Sequence, residues 1–194
     1  VIKGGLLRIP LKRFLEAEIK MKRSNMKKIF AIFLISGLLG FSLSQEGCYK
    51  SSDNVTTKLG GPAMDFTLTD IDNKEVRLSD FKGKAVMLRF WSSRCPSCKK
   101  EMPVVEKAYR KLKDKGFVVL AINIEDPKEI AAETAKKLDL TFPILIDKGM
   151  SATKLYKVFA TPTSFFIDKD GVMKEKVLGE LSEETIAIYL EGII

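Results

Sequence analysis

Residues 85–98 read AVMLRFWSSRCPSC, and this stretch decides the fold. Its first seven residues are almost continuously apolar, which is typical of a strand buried in the centre of a sheet. A helix-like run begins at Lys99, so Cys95 and Cys98 lie at a strand-to-helix junction. Unpaired N–H groups and the helix dipole favour an anion at a helix start. The pattern predicts a redox pair in which Cys95 reacts as a thiolate and Cys98 attacks the mixed disulfide that Cys95 forms.

Two other roles for this cysteine pair have to be weighed. A structural zinc site takes four ligands, but the chain has no histidine and its third cysteine, Cys48, lies in a separate N-terminal region. A purely structural disulfide stays open, although so short a loop constrains the unfolded chain little. The strand–CxxC–helix context favours a redox-active pair over both.

The charge distribution of the chain argues against nucleic-acid binding. The chain has 194 residues, 45% of them hydrophobic, which suffices for one domain with extensions and a core. Its net charge is +8, but residues 1–28 hold nine Lys/Arg and two acidic residues. The remaining 166 residues hold 24 basic and 23 acidic residues, so the rest of the chain is nearly neutral. No basic surface of the kind that binds nucleic acid is expected.

The N-terminal region has the pattern of an export signal. Met26 and the two lysines at 27 and 28 precede a 15-residue apolar run over residues 29–43. This run is shorter than the roughly 20 residues that a spanning helix needs. We therefore assign residues 26–47 to a signal sequence or membrane anchor. Residues 1–25 are expected to be either a spurious extension upstream of the true start of translation or a basic arm.

The end of the signal allows three interpretations. Ser42 and Ser44 are spaced like a cleavage site, and Gly47-Cys48 resembles the end of a lipoprotein signal in which Cys48 is lipidated. An uncleaved anchor is the third, and Cys48 as a free thiol on a flexible tether is equally open. Residues 48–57 are polar and predict a linker. Each interpretation of the signal places the domain outside the cytoplasmic membrane, in the periplasm or on the outer face of that membrane.

Residues 58–194 predict an α/β domain with a mixed sheet flanked by helices. Period-2 and period-3.6 patterns, turn residues and caps give the order ββ-βα-βα-β-α-ββ-α. The expected strands are a hairpin over 65–78 and single strands over 85–91, 117–124, 142–146, 163–168 and 172–178. The expected helices cover 96–115, the stretch from Asp126-Pro127 to residue 138, and 151–156, which Ser151 would cap. A last helix would follow a cap at Ser182.

This order, the CxxC after the first central strand and the later Thr161-Pro162 resemble the thioredoxin fold. The sequence is most similar to the ResA/TlpA-type extracytoplasmic thiol-disulfide oxidoreductases, which are related to the AhpC/TSA proteins. The resemblance covers roughly residues 58–194. The stretches that carry it are LSDFKGK at 78–84, CKKEMP at 98–103, TPTSFFID at 161–168 and an insertion over 123–142.

The resemblance implies roles for five residues. Cys95 would be the attacking thiolate and Cys98 the resolving thiol. Pro162 would be a cis proline packed against the disulfide, and Thr161 would offer its backbone to an extended substrate segment. Glu101 matches an acidic residue near the disulfide in ResA-type proteins, where a carboxylate takes and returns the Cys98 proton. Pro162 also has an ordinary interpretation as a trans loop proline, and Glu101 has one as a solvent-facing helix residue.

Two residues depart from the family pattern. Arg89 stands where thioredoxin has a buried acid, and we expect its stem to pack while its guanidinium reaches solvent. Arg94 precedes Cys95, where a tryptophan is usual, and a fixed positive charge there favours the thiolate and alters the docking of partners. We place Arg94 and Trp91 at the substrate-facing surface. An exposed Arg94 without effect on catalysis is the alternative.

The resemblance implies an exported enzyme that reduces specific protein disulfides, for example the haem-binding cysteines of apocytochrome c. A membrane thiol transporter would supply the electrons, and we expect a monomer without a cofactor. A peroxiredoxin-type peroxidase is the main alternative, although Ser92 stands where that class has a threonine preceded by proline. A copper-delivering binding module would need CxxxC and a distant histidine, and the chain has no histidine.

Overall fold

The structure, a computed structural model, describes residues 58–194. The predictions of an extension, a signal or anchor, a linker and a lipidated Cys48 therefore lie outside the described residues. Within residues 58–194, no helix combines the length and the apolar character needed to cross a membrane.

The described residues form the predicted order of strands and helices. The strands are β1 (Thr67–Asp70), β2 (Glu75–Arg77), β3 (Ala85–Trp91), β4 (Phe117–Asn123), β5 (Ile144–Ile146), β6 (Thr163–Ile167) and β7 (Met173–Leu178). The α-helices are α1 (Pro96–Leu112), α2 (Lys128–Lys137), α3 (Ser151–Leu155) and α4 (Glu183–Glu191), with short 3-10 turns at Leu78–Phe81 and Lys113–Lys115.

The strands join in one mixed sheet of order β2-β1-β5-β4-β3-β6-β7. Strands β3, β4 and β5 run parallel, whereas β6 pairs with β3, and β7 with β6, in the antiparallel sense. Strand β3 thus has a hydrogen-bonded neighbour on both sides and lies inside the sheet. The carboxyl ends of β3 and β4 lie at the same edge of the sheet, next to the CxxC segment.

Alternate residues of β3 enter two different cores. Met87 and Trp91 belong to the hydrophobic cluster that contains Cys98 and Met102 of α1. Val86, Leu88 and Phe90 belong to a second cluster with Tyr156 and Phe165. Because successive side chains of a strand point to opposite faces, the residue between Met87 and Trp91 on the α1 side is Arg89. The fold therefore directs a charged side chain at the CxxC helix.

Helix α1 starts and ends as its sequence predicts. Cys95 is its N-cap and Pro96 occupies the first turn, where a missing N–H is harmless. The helix continues through Pro103 and is followed by the 3-10 turn and by Gly116, which has a φ of 89° and terminates the segment.

Two predicted caps are wrong and one is confirmed. Asp126 does not cap α2, whose N-cap is Pro127 without a side-chain bond, because the Asp126 carboxylate binds Ser93 instead. Ser151 does not cap α3, since the carboxylate of Asp147 accepts the free N–H groups there. Ser182 caps α4 as predicted, with its hydroxyl accepting the Thr185 N–H at 3.1 Å.

Candidate active site

Cys95 and Cys98 form a disulfide at the start of α1. The sulfur of Cys95 accepts the backbone N–H of Cys98 at 3.1 Å, which is the N-cap bond of the helix. Cys95 is partly exposed, whereas Cys98 is completely buried. A partner molecule can therefore reach only the first sulfur, and the helix N-terminus favours negative charge on it after reduction.

The loop before β6 reaches the sulfur of Cys95. The Thr161–Pro162 peptide bond is cis, as the sequence resemblance implies. The carbonyl oxygen of Thr161 lies 3.7 Å from Cys95 Sγ, and Ser97 Oγ lies 3.3 Å from the same sulfur. The structure thus brings together two separate stretches of the chain, the Cys95–Cys98 segment and the Thr161–Pro162 loop.

The segment that precedes Cys95 is held by Asp126. The carboxylate of Asp126 accepts the N–H of Ser93 at 2.6 Å and its hydroxyl at 2.7 Å, and Asn123 donates its side-chain amide to it at 2.7 Å. Partial burial opposes ionisation, but these hydrogen bonds outweigh it and lower the pKa of the Asp126 carboxyl. Sequence reasoning missed this role because a local capping pattern suggested another use.

Arg94 forms an exposed ion pair beside Cys95. Its Nη2 lies 2.7 Å from Glu125 Oε2, and the two side chains are 74% and 44% exposed. The positive charge of Arg94 is therefore screened by water and by a counter-charge. Sequence reasoning located Arg94 at the surface but did not identify Glu125 as its partner.

Arg89 is completely buried, which corrects the prediction that its guanidinium reaches solvent. It forms an ion pair with the buried Glu101, and its Nη1 donates to Ser164 Oγ at 2.7 Å and to the Gly179 carbonyl at 3.4 Å. The physical reason is the alternation of β3, which turns position 89 towards α1, where Glu101 supplies the counter-charge.

Burial shifts the pKa values of both members of this pair. The pKa of Glu101 rises from 4.5 to about 7 because burial disfavours the charged carboxylate, although Arg89 and, more weakly, the Leu181 amide oppose the rise. Burial lowers the pKa of Arg89 to about 10, so the guanidinium stays charged at neutral pH. Among residues 58–194, Glu101 Oε1 and Arg89 Nε have no hydrogen-bond partner of normal geometry, and the Leu181 amide, which weakly favours the charged form of Glu101, lies outside those limits.

Trp91 does not lie at the substrate-facing surface, which corrects its predicted position. It is completely buried in the cluster that contains Cys98, and its indole N–H has no partner among the described residues. The cause is again the alternation of β3, whose residue 91 faces α1. Within the part of the chain that the structure describes, no group of three or more His, Cys, Asp or Glu side chains is placed to hold a metal ion.

Comparisons with known proteins agree that this chain is similar to thioredoxin-like thiol-disulfide oxidoreductases. The sequence profile of the AhpC/TSA family matches residues 59–176. The thiol-disulfide oxidoreductase ResA of Bacillus cereus is 37% identical over 174 residues, which are 89% of this chain and 99% of that protein. ResA of Geobacillus kaustophilus is 39% identical over 142 residues, or 73% of this chain and 82% of that protein.

A solved structure gives the same answer for the fold. A Chlorobium tepidum protein assigned as thiol:disulfide interchange protein DsbE aligns with a TM-score of 0.64 at 30% identity, covering 70% of this chain and 96% of that one. The predicted thioredoxin-like α/β fold is thereby confirmed.

Proposed function

The chain belongs to the AhpC/TSA family and is a thiol-disulfide oxidoreductase, and we propose that it reduces specific protein disulfides outside the cytoplasmic membrane. One observation carries the proposal: a disulfide at a helix start has an accessible first sulfur and a buried second one. This asymmetry gives the two cysteines different roles, with Cys95 as the nucleophile and Cys98 as the resolving thiol.

The exchange has two steps. The Cys95 thiolate attacks one sulfur of a substrate disulfide and releases the other as a thiolate, which takes a proton from water. Cys98 then gives up its proton and attacks Cys95 Sγ, so that the mixed disulfide breaks and its electron pair leaves with the substrate sulfur, which takes up the second proton. The substrate gains two electrons and two protons, and the Cys95–Cys98 disulfide is the product on the enzyme.

Glu101 is the proton acceptor that this second step needs. It lies three residues after Cys98 on α1, so the two side chains share one helix face. Both side chains are buried, and Glu101 Oε1 has no partner in the described chain. A carboxyl whose pKa is about 7 exchanges protons efficiently at neutral pH.

The substrate segment lies along the loop that precedes β6. The Thr161 backbone, close to Cys95 Sγ, is positioned to pair with an extended peptide. Phe159, two residues earlier, is 91% exposed, and Leu178 is 68% exposed on β7 opposite Thr163. Exposed large apolar side chains beside a reactive group favour contact with a protein partner, and Arg94 lies at the rim of this surface.

Location and partners follow from the sequence pattern and the family. Residues 26–47 would export or anchor the domain, with Cys48 as a candidate lipidation site. The apocytochrome c cysteines are the proposed substrate and a membrane thiol protein the proposed electron donor, with the enzyme acting as a monomer. The proposal involves no nucleic acid. It needs no cofactor, because the dithiol itself carries the electrons.

Partner trapping tests this function. The Cys98→Ser variant, expressed with its native export signal, should accumulate mixed disulfides at Cys95 that mass spectrometry identifies after non-reducing separation. The matched control is Cys95→Ser, which keeps Cys98 but should trap no partner at that residue because Cys98 is buried. Equal trapping by both variants, or recovery of no cysteine-bearing partner by Cys98→Ser, would contradict the proposal.

A peroxide assay separates this function from the peroxidase alternative. We expect the reduced enzyme to exchange with protein disulfides much faster than it consumes hydrogen peroxide. Rapid peroxide turnover that Cys95→Ser abolishes would instead assign the chain to the peroxidases.

A further inference from the structure

Arg89 is an unusual residue for its position. It lies in the middle of a strand whose other residues are apolar, and it is completely buried. A buried guanidinium loses its hydration and is tolerated only where charge and hydrogen bonds compensate for that loss. An apolar residue would satisfy the packing of β3, so the charge itself needs an explanation.

The guanidinium joins two parts of the candidate site. Its Nη2 pairs with Glu101 on α1, and its Nη1 binds Ser164, two residues after Pro162. Nη1 also approaches the carbonyl of Gly179, whose own N–H donates to the Pro162 carbonyl at 2.8 Å. Arg89 thus connects the carboxylate that lies one helical turn after Cys98 with the strand that follows the cis-proline loop.

We propose that Arg89 is a positioning residue for thiol exchange: its guanidinium fixes the Glu101 carboxylate and keeps it ionised, so that it accepts the proton of the resolving thiol. The proposal rests on the proposed function. Arg89 does not touch the reacting sulfurs in this mechanism and acts only through Glu101. Nη2 holds Oε2, which leaves the unpartnered Oε1 to receive the proton from Cys98.

The charges around Glu101 make its ionisation depend on Arg89. The charged groups that face the carboxylate are Arg89 from β3 and Glu180 from the segment between β7 and α4. Glu180 raises the pKa of Glu101, and its own carboxylate lies 3.0 Å from Lys100 Nζ at the exposed end of the site. Without Arg89, burial and Glu180 would both act against ionisation of Glu101.

A two-phase reaction separates the steps. A symmetrical aromatic disulfide, in stoichiometric amount, releases one coloured thiolate when Cys95 attacks it and a second when Cys98 resolves the mixed disulfide. The second phase should lose rate below a midpoint near 7 in the unmodified enzyme, as Glu101 becomes protonated. In Arg89→Met, that midpoint should move up by roughly one to three pH units, while the first phase keeps its rate.

Three further variants guard against a merely structural effect. Arg89→Lys retains the charge and should bring the midpoint back towards that of the unmodified enzyme. Arg110→Met is the matched control, because Arg110 pairs with Glu106, another buried glutamate of α1, and it should leave the midpoint unchanged. Should Arg89→Met not fold, Arg89→Met/Glu101→Gln removes both charges, and its second phase should match that of Glu101→Gln alone.

The outcomes are distinct. An unchanged midpoint in Arg89→Met overturns the inference, as does a double variant about tenfold or more slower than Glu101→Gln, since Arg89 would then act independently of Glu101. Absence of both phases in the unmodified enzyme would instead overturn the proposed function.

Discussion

Helix α1 carries two buried glutamates, each paired with an arginine, that differ in how completely their oxygens are bonded. Glu106 accepts hydrogen bonds from Arg110 Nε, the Thr141 N–H and the Thr141 hydroxyl, so both of its oxygens are bonded. Glu101 is bonded through one oxygen, and the other has no partner among the described residues. Arg110 is half exposed, whereas Arg89 is completely buried.

Burial alone does not make a carboxylate reactive. Three hydrogen bonds hold the Glu106 carboxylate in place and tie α1 to the segment before β5. Glu101 is as well hidden from water but less completely compensated, so burial raises its pKa to about 7. Only this glutamate lies one helical turn from Cys98. Glu106 is therefore a structural group, whereas Glu101 is suited to proton transfer.

The largest expected effect is on the pH dependence of stability. The folded-state pKa of Glu101 is raised from 4.5 to about 7, so the folded protein binds more protons than the unfolded chain between these values. Its contribution to the free energy of unfolding is therefore greatest below pH 4.5 and is lost as pH rises through about 7, by up to about 3 kcal/mol. Urea titrations of the oxidised enzyme from pH 4 to 8 measure this.

Variants of the two glutamates show which group causes the pH dependence of stability. Glu101→Gln should remove that slope, whereas Glu106→Gln should keep it. A slope that both variants retain would show that another group is responsible and that the two glutamates do not differ as described.

A slower resolving step is the next largest effect. Glu101→Gln should slow the second phase of thiol exchange about 100-fold at neutral pH, because a positioned proton acceptor contributes roughly that factor. The attack by Cys95 should change little. Stopped-flow measurement of both phases checks this, and equal slowing of the two would indicate a distorted site rather than a missing base.

A loss of stability without loss of activity is expected at the other glutamate. Glu106→Ala leaves the Thr141 N–H and hydroxyl without their acceptor and should lower the free energy of unfolding by about 2 kcal/mol. The second-phase rate of the folded variant should stay within about threefold of the unmodified enzyme, since no reacting atom is touched. Glu75→Ala, which removes an exposed pair with Arg77, is the control and should cost under about 0.5 kcal/mol.

The smallest effect is expected at Arg94. Because its side chain is 74% exposed and paired with Glu125, Arg94→Ala should change the rate of the first phase by less than about fivefold. Rates at low and high salt measure the electrostatic part. A change of 100-fold would show that this charge controls Cys95 directly.

The sequence predicts the fold well where local patterns decide it. Strand β3, the helix start at Cys95 and the Ser182 cap are all confirmed, because periodicity and capping are local properties. Hydrogen-bond partners that lie far apart in the sequence are harder to predict. Asp126 satisfies a capping rule in the sequence, yet its carboxylate accepts a hydrogen bond from Ser93, 33 residues away, instead of capping the helix.

The buried ion pair could have been found from two signals read together. Arg89 interrupts an apolar strand on the face shared by Met87 and Trp91, and Glu101 follows Cys98 by one helical turn. Read singly, an arginine suggests a side chain that reaches solvent, and a helix glutamate suggests an exposed face. Only the packing of β3 against α1 shows that each is the other's counter-charge.

The titration of the Glu101 carboxyl itself tests the central claim most directly. Carbon-13 NMR of the oxidised enzyme, with Glu101→Gln to assign the resonance, follows that carboxyl across the pH range. We expect the carboxyl to titrate with a midpoint near 7. A midpoint near the ordinary glutamate value of 4.5 would contradict it, because the carboxylate would then be too weak a base to take the proton of Cys98.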